Sequence, residues 1–166
     1  MVNIKLIRNT YGGLEYLQRT CNYVINKHNP VFVNGYGVNF RDAEIAFLEM
    51  VAVKRHFGKL TCNPVIHLVV SFDRNVENES EAIAFAKDIS KFFYGRFQVL
   101  FAVHHKECEN SHYHVHFGIN SVSLINGNLF HSSPVNLQCF CKHVADVTKM
   151  KTNSHFDNKA KKTYKR

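Results

Sequence analysis

Apolar residues recur at the spacing of an α-helix in four segments of the chain. In the first, Leu14, Leu17, Cys21 and Val24 fall on one face of a helix. Glycines follow two of the other segments, where they can end a helix in the left-handed conformation. The spacing predicts helices over residues 14–25, 42–57, 78–94 and 134–150, with Gly58 and Gly95 as the stops.

Shorter apolar runs with β-branched or alternating residues predict the strands. The clearest is PVIHLVVSF, residues 64–72, which is apolar enough to be buried on both faces. Further strands are expected over 4–7, 97–104, 112–124 and 128–131, the last after a hairpin turn at Asn126-Gly127, with a loop or short strand within 31–40. The order of elements predicts one α+β domain, an α/β sandwich whose central, largely antiparallel sheet has helices packed on it.

The composition fits a folded domain and argues against two other classes. At 166 residues, 45% hydrophobic and 13% aromatic, the chain can bury a core and is unlike a disordered chain. No segment reaches the roughly 18 apolar residues of a membrane span, and the N-terminus lacks the apolar core of a signal peptide. Five scattered cysteines, an odd number, are typical of reduced thiols. We therefore expect a cytoplasmic protein without membrane insertion.

Positive charge is concentrated at the C-terminus. The net charge is +8, and residues 149–166 hold seven Lys or Arg and one acid, hence +6, which leaves +2 for the rest. This segment is polar and lacks an apolar period, so we expect a flexible basic tail after a domain of residues 1–148. Such a tail is consistent with phosphate binding and equally with a solubilising role without a partner.

Histidines are the main candidates for chemistry, since five of the 11 lie between residues 104 and 116. In a strand, His114 and His116 point to the same side, about 6 to 7 Å apart, which suits two ligands of one metal ion. His104 ends the preceding strand, and antiparallel pairing can bring it beside them. Three neutral imidazoles leave coordination positions open for water or substrate oxygens, as a catalytic site requires.

Two neighbouring histidines leave the ligand set open. His112 shares the face of His114 and His116 in an extended strand, so it could replace His104. His105 points away from His104 and is expected at the surface. A sheet face that carries solvated histidines would give the same pattern without a metal.

These segments resemble the relaxase/mobilisation nuclease family, which belongs to the HUH endonucleases. FQVLFAVH, HVHFGINSVS and NGNLFHSS follow one another as in that family, whose His-x-His and Asn are matched by His114, His116 and Asn120. HLVVSF (67–72) and the segment 33–59 fit as well. CNYVINKHNP resembles the family's Tyr-Ile-x-Asn segment, in which Tyr23 would be the nucleophile. The resemblance covers about residues 3–148.

The sequence departs from the family pattern in two places. Family members have a shorter loop after the first histidine, with an Asp just behind it, whereas this chain reads HKECEN. The first ligand is therefore His104 or His105, and Glu107 is a candidate acidic helper near the expected Asp. The family's Lys after the tyrosine segment is displaced, with Asn29 in its approximate place.

The resemblance implies a mechanism in which Tyr23 cuts one DNA strand at an origin of transfer and keeps its 5′ phosphate. The phenol is mostly protonated at neutral pH and the phosphodiester is anionic, so a divalent ion, Mg²⁺ or Mn²⁺, held by His104, His114 and His116 would assist. The expected partners are single-stranded DNA and relaxosome accessory proteins in the bacterial cytoplasm. Asn120 would brace the histidine strand or a ligand ring, or be an ordinary strand-end amide. The DNA-binding candidates are Lys27, Lys151, Lys159, Lys161 and Lys162.

Other assignments compete with this one. A single-tyrosine transposase or rolling-circle initiator of the same superfamily is one; transposases place the tyrosine on a helix after the histidines, and the predicted helix 134–150 contains none. A DNA-binding accessory protein that has lost catalysis is another. Within the chain, Tyr16 is the nearest competitor for the nucleophile, about two helical turns from Tyr23 on a similar face.

Overall fold

The computed structural model describes residues 1–8, 13–108 and 111–156, without the side chains of residues 106–108. Helices and strands alternate for the first half of the chain, and a long hairpin and a helix follow. The elements are β1 (Val2–Ile7), α1 (Leu14–Asn26), β2 (Phe32–Tyr36), α2 (Ala43–His56), β3 (Val65–Ser71), α3 (Glu79–Ser90), β4 (Phe97–Cys108), β5 (Ser111–Ser123), α4 (Pro134–Thr148) and β6 (Thr152–His155).

The six strands form one sheet in the order β2-β4-β5-β3-β1-β6. All neighbouring strands are antiparallel except β1 and β6, which run parallel. The β4–β5 hairpin therefore lies in the centre, with β3 on the far side of β5. This confirms the predicted α+β class with a largely antiparallel central sheet.

The two faces of the sheet carry separate cores because side chains alternate along each strand. Val99, Phe101 and Val103 of β4 pack in the core that includes residues of α3 and α4. Leu100 and Ala102 pack in the smaller core that includes residues of α1 and α2. His104 continues the second series, so it is expected on the face of α1.

Helix α2 is fastened to the sheet by buried polar contacts. The Lys54 ammonium is fully buried and donates to Ser121 Oγ at 2.9 Å and to the Asn63 carbonyl at 3.3 Å. Burial lowers its pKa, which the adjacent Cys62 partly offsets. Asn120, also fully buried, donates to the Met50 carbonyl of α2 at 3.1 Å. These contacts hold α2 in place beside α1.

Three predictions about elements need correction. Strands β4 and β5 extend to Cys108 and from Ser111, through most of the segment expected as a loop. The strand expected over 128–131 is reduced to one isolated bridge between Val122 and Leu129. Thr152–His155 pair with β1, so these four residues are a strand and not part of a flexible tail.

None of the helices in residues 1–8, 13–108 and 111–156 has the length and apolar character needed to cross a bilayer.

Candidate active site on the helix α1 face of the sheet

Three of the predicted histidines lie together at the centre of the sheet. His104 and His114 are paired across β4 and β5, and His116 is two residues further on, on the same face. The ring centres are 5.4 Å apart for His104 and His114, and 5.1 Å apart for both other pairs. His105, on the opposite face, packs its ring 5.0 Å from Tyr113. The fold thus groups His104, rather than His105, with the His-x-His pair.

Tyr23 is brought to this cluster by helix α1. Its ring centre lies 4.9 Å from that of His116 and 6.4 Å from that of His104. The helix can approach because β5 has a glycine beneath it: a Cβ on Gly118 would lie 3.2 Å from Thr20 Cγ2 and 3.8 Å from Val24 Cγ2. The half-buried Tyr23 side chain is therefore held over the histidines by close helix–sheet packing.

A fourth histidine, His67 of β3, joins the cluster from the next strand. Its Nε2 lies 3.0 Å from His116 Nδ1, and its ring centre is 5.9 Å from that of Tyr23. Sequence reasoning missed it because a lone histidine in an apolar strand forms no motif. Only the pairing of β3 with β5, which sets His67 opposite Gly118, brings it here.

His28 approaches from the other side, in the turn after α1. Its ring centre is 6.0 Å from that of Tyr23 and 6.5 Å from that of His104. His28 and Asn29 both have positive φ, 60° and 44°, a conformation uncommon for residues other than glycine. Two consecutive residues in this conformation beside a cluster of reactive side chains are typical of a functional site. The sequence alone gave no sign of this turn.

Burial keeps the central imidazoles uncharged. It lowers the pKa of His67 to about 4. Burial, with a smaller effect of His114 and His28, lowers the pKa of His104 to about 4. Burial, assisted by the four neighbouring histidines, lowers the pKa of His116 to about 2. All three rings are neutral at pH 7, which is the form that can ligate a metal.

The donor set fits a divalent ion in two respects. His104 is 1% exposed, and neither of its ring nitrogens has a hydrogen-bond partner among the described residues. Since buried polar groups normally have a partner, a metal ion bound to His104 would supply the missing one. Imidazoles that ligate one ion at about 2.1 Å have ring centres roughly 4.5 to 5.5 Å apart, which matches the three histidines. In the part of the chain that the structure describes, however, no three His, Cys, Asp or Glu side chains are already arranged to hold an ion. The rings have the spacing, and they would have to turn for their nitrogens to converge.

Open cavities flank Tyr23 on two sides. One of about 390 Å³ is lined by Arg8, Arg19, Tyr23, His67 and His116, among others. Another of about 370 Å³ is lined by Tyr23, His28, Asn29, His104, His105 and His114. A larger cavity of about 550 Å³ between α1 and the start of α2 includes none of these histidines in its lining. Tyr23 thus borders both of the smaller cavities, the first together with His67 and His116 and the second together with His28, His104 and His114.

The remaining predicted residues are distributed around the site or lie beyond it. Lys27 places its ammonium 5.0 Å from the Tyr23 ring centre. Asn120 donates to Gln98 Oε1 of β4 at 2.8 Å, as well as to the Met50 carbonyl of α2, so its side chain links β5 to both elements. The half-buried His112 lies in the irregular part of the β4–β5 pairing, between Tyr113 and Ser111.

The other candidates lie beside the site, near the edge of the sheet, or outside the described residues. Tyr16 lines the same cavity as Tyr23, His67 and His116. Lys151 precedes β6, where its carbonyl accepts from the Val2 amide. Tyr16, the competing tyrosine, turns its hydroxyl toward the Ile7 carbonyl at 3.5 Å. Outside the described part of the molecule lie the Glu107 side chain and the residues Lys159, Lys161 and Lys162.

An antiparallel sheet that gathers histidines beneath a tyrosine of the first helix is the arrangement expected of a relaxase. A family model described as "Relaxase: MobA/VirD2-like, nuclease domain" matches residues 16–152, which is most of the chain. The protein belongs to this family. Comparison with curated proteins gives no match, and neither does comparison with solved structures.

Proposed function

We propose that the protein nicks single-stranded DNA at an origin of transfer and transfers the strand, so that a plasmid or integrative element is mobilised. The observation that carries this proposal is the position of Tyr23, whose ring centre lies 4.9 Å from that of His116 within the histidine cluster. Membership of the relaxase nuclease-domain family supports it independently.

In the proposed reaction the Tyr23 hydroxyl attacks the scissile phosphorus. The new Tyr Oη–P bond replaces the P–O bond to the 3′ oxygen, and the phenol's proton is balanced by one taken up on the departing 3′-OH. The product is a 5′-phosphotyrosine, which is still a phosphodiester. A second 3′-OH can therefore attack it and reseal the strand, which makes the protein a strand transferase as well as a nuclease.

His104, His114 and His116 would hold a divalent ion, Mg²⁺ or Mn²⁺. Such an ion supplies a positive charge that neutralises a non-bridging phosphate oxygen of the scissile group. The protein's own contribution is to keep three imidazoles at fixed spacing on two hydrogen-bonded strands. Asn120, further along the same face of β5, would support them by tying β5 to β4 and α2.

Cationic side chains around Tyr23 would position the DNA. Arg8 and Arg19 line one flanking cavity, and Lys27 lies over the tyrosine ring. Phosphate contacts of this kind attract a single strand without reading its sequence. In this proposal residues 1–156, which include the edge strand β6, form the catalytic domain, and the basic residues that follow add affinity. Relaxosome accessory proteins in the bacterial cytoplasm would supply the remaining selectivity.

The proposal is tested with single-stranded DNA that carries the origin of transfer of the host element, in the presence of Mn²⁺. Wild type is expected to give an SDS-resistant protein–DNA adduct and a free 3′-OH strand. Tyr23→Phe should give no adduct, whereas the control Tyr16→Phe should give the wild-type amount. An adduct of undiminished yield with Tyr23→Phe would refute the assignment of the nucleophile.

The histidine assignment is tested in the same assay. His114→Ala should lose at least about 100-fold in adduct yield, because one of three ligands is removed. The control His143→Ala alters a half-buried histidine of α4, whose Nε2 contacts the Asp88 carbonyl at 3.1 Å. It should behave as wild type. Full activity of His114→Ala would refute the metal site.

A further inference from the structure

We propose that His67 is a positioning residue that accepts a hydrogen bond from His116 and thereby fixes which nitrogen of His116 faces the cluster. The inference rests on the proposed metal site for its consequence. The hydrogen bond itself is a property of the metal-free protein.

The contact between the two rings is short and enclosed. His67 Nε2 and His116 Nδ1 are 3.0 Å apart, and each residue is 7% exposed. A neutral imidazole has one N–H and one lone pair, so one ring must donate and the other accept. Two arrangements are therefore available, and they differ in what His116 presents at its other nitrogen.

Only one arrangement leaves His116 able to ligate. If His67 donates, the single hydrogen of His116 lies on Nε2, and that nitrogen has no lone pair to offer. If His116 donates from Nδ1, its Nε2 keeps the lone pair on the side away from His67. That side is the cluster, where the ring centres of His104 and His114 lie 5.1 Å from that of His116.

The second arrangement is the usual one for ligating histidines. Their other ring nitrogen donates to an acceptor that fixes both the tautomer and the ring orientation, and loss of that acceptor costs about 10- to 100-fold in metal affinity. Here the acceptor is an imidazole on β3. Because β3 pairs with β5 residue by residue from Val65 to Ser71, the acceptor is held as rigidly as the ligand.

Long-range ¹H–¹⁵N spectra of the metal-free protein test the hydrogen bond directly, since they distinguish the two tautomers of each histidine. Wild type is expected to carry the hydrogen of His116 on Nδ1 and that of His67 on Nδ1. In His67→Leu the tautomer of His116 should become mixed. If His116 carries its hydrogen on Nε2 in wild type, the inference is wrong whatever the protein does with metals.

Calorimetric titration with Mn²⁺ tests the consequence. His67→Leu, which keeps the volume and removes the acceptor, should weaken Mn²⁺ binding about 10- to 100-fold. His67→Glu, whose carboxylate can only accept, should restore binding to within about threefold of wild type. The control His143→Leu makes the same substitution on α4 and should leave the affinity unchanged.

The outcomes separate the two proposals. Equal Mn²⁺ affinity of His67→Leu and wild type would overturn the positioning role. Failure of His67→Glu to rescue would overturn it as well, since a donor would then be required. Failure of wild type to bind Mn²⁺ would instead overturn the metal site proposed under the function, with the tautomer decided by the spectra.

Discussion

At the scale of single residues, burial decides the state of the histidines. The pKa values of His67, His104 and His116 lie well below the ordinary value of about 6.5, so these three rings are neutral where an exposed group would be partly charged. Neutral rings can sit side by side without repulsion, and each offers a lone pair. At acid pH this arrangement destabilises the folded state, because the unfolded chain binds protons that the buried imidazoles do not.

The free energy of unfolding of the metal-free protein should therefore fall as the pH is lowered from about 6.5 to 4. In this window the unfolded state binds more protons at His67, whose folded pKa is about 4, so stability rises with pH. The contribution of neutral His67 to stability is complete above the pKa of the unfolded state, about 6.5. It is lost as the pH falls from there to the pKa of the folded state, about 4. Urea unfolding in EDTA at several pH values measures the slope.

His67→Leu removes one of these groups and should flatten the slope by up to about one proton per molecule. A variant with the same slope as wild type would show that His67 titrates alike in both states.

The residues that sequence reasoning found are those with a local signature. His114 and His116 form a His-x-His pair, which strand geometry places on one face. The sequence left the third histidine open among His104, His105 and His112, and the pairing of β4 with β5 is what sets His104 beside the pair. His67 and His28 have no such signature. Their positions depend on which strand lies beside β5 and on a left-handed turn after α1, and no spacing along the chain reports either.

At the scale of elements, the packing of α1 against the sheet determines the position of the Tyr23 side chain. Gly118 lies on β5 between β4 and β3, opposite Leu100 and His67. Its missing side chain is what lets Thr20 and Val24 of α1 come down onto the strand. The distance from tyrosine to histidines is thus set by one glycine.

Gly118→Ala should displace α1 by a few tenths of an ångström and slow adduct formation about 3- to 10-fold, since small misplacements of a reacting group are costly. The substitution Thr20→Ser removes the methyl group that the new Cβ would meet at 3.2 Å, and keeps the hydroxyl that donates to the Tyr16 carbonyl. The double variant should therefore recover most of the rate. Single-turnover kinetics of the adduct give the comparison; a double variant no faster than Gly118→Ala would show that the helix is not the cause.

Helices and strands could be predicted from the sequence where apolar residues recur at a regular spacing. They could not be predicted where a segment becomes a strand only through its pairing with another strand. The helices and central strands had clear patterns. Strand β6, with the sequence TNSH, is polar, and it forms because the backbone of β1 pairs with it in parallel at the edge of the sheet. Conversely, the turn at Asn126-Gly127 was correctly placed, but the segment behind it makes only one bridge.

At the scale of the whole molecule, sheet order and the distribution of charge determine the surroundings of the candidate site. The order β4-β5-β3 sets histidines from three adjacent strands on one face, and α1 closes over them. Neighbours that are distant in sequence, such as β3 and β5, cannot be read from hydrophobic pattern. The distribution of charge, by contrast, is visible in the sequence. Residues 157–166 contain five Lys or Arg and one acidic residue.

Deletion of residues 157–166 should leave adduct formation at low salt nearly unchanged and make single-stranded DNA binding less sensitive to salt. The slope of log affinity against log salt becomes shallower by about 0.7 for each phosphate that the protein no longer neutralises. Fluorescence anisotropy between about 50 and 200 mM salt provides the slopes. Identical slopes for the deletion and wild type would assign these residues a solubilising role.

The central claim is that the Tyr23 hydroxyl becomes joined to DNA beside the histidine cluster. It is tested most directly by isolating the covalent adduct formed with single-stranded DNA and Mn²⁺, digesting both the protein and the nucleic acid, and locating the remaining 5′-phosphonucleotide by tandem mass spectrometry. We predict that the modified peptide carries it on Tyr23. Attachment to Tyr16, to another residue, or to none would contradict the account.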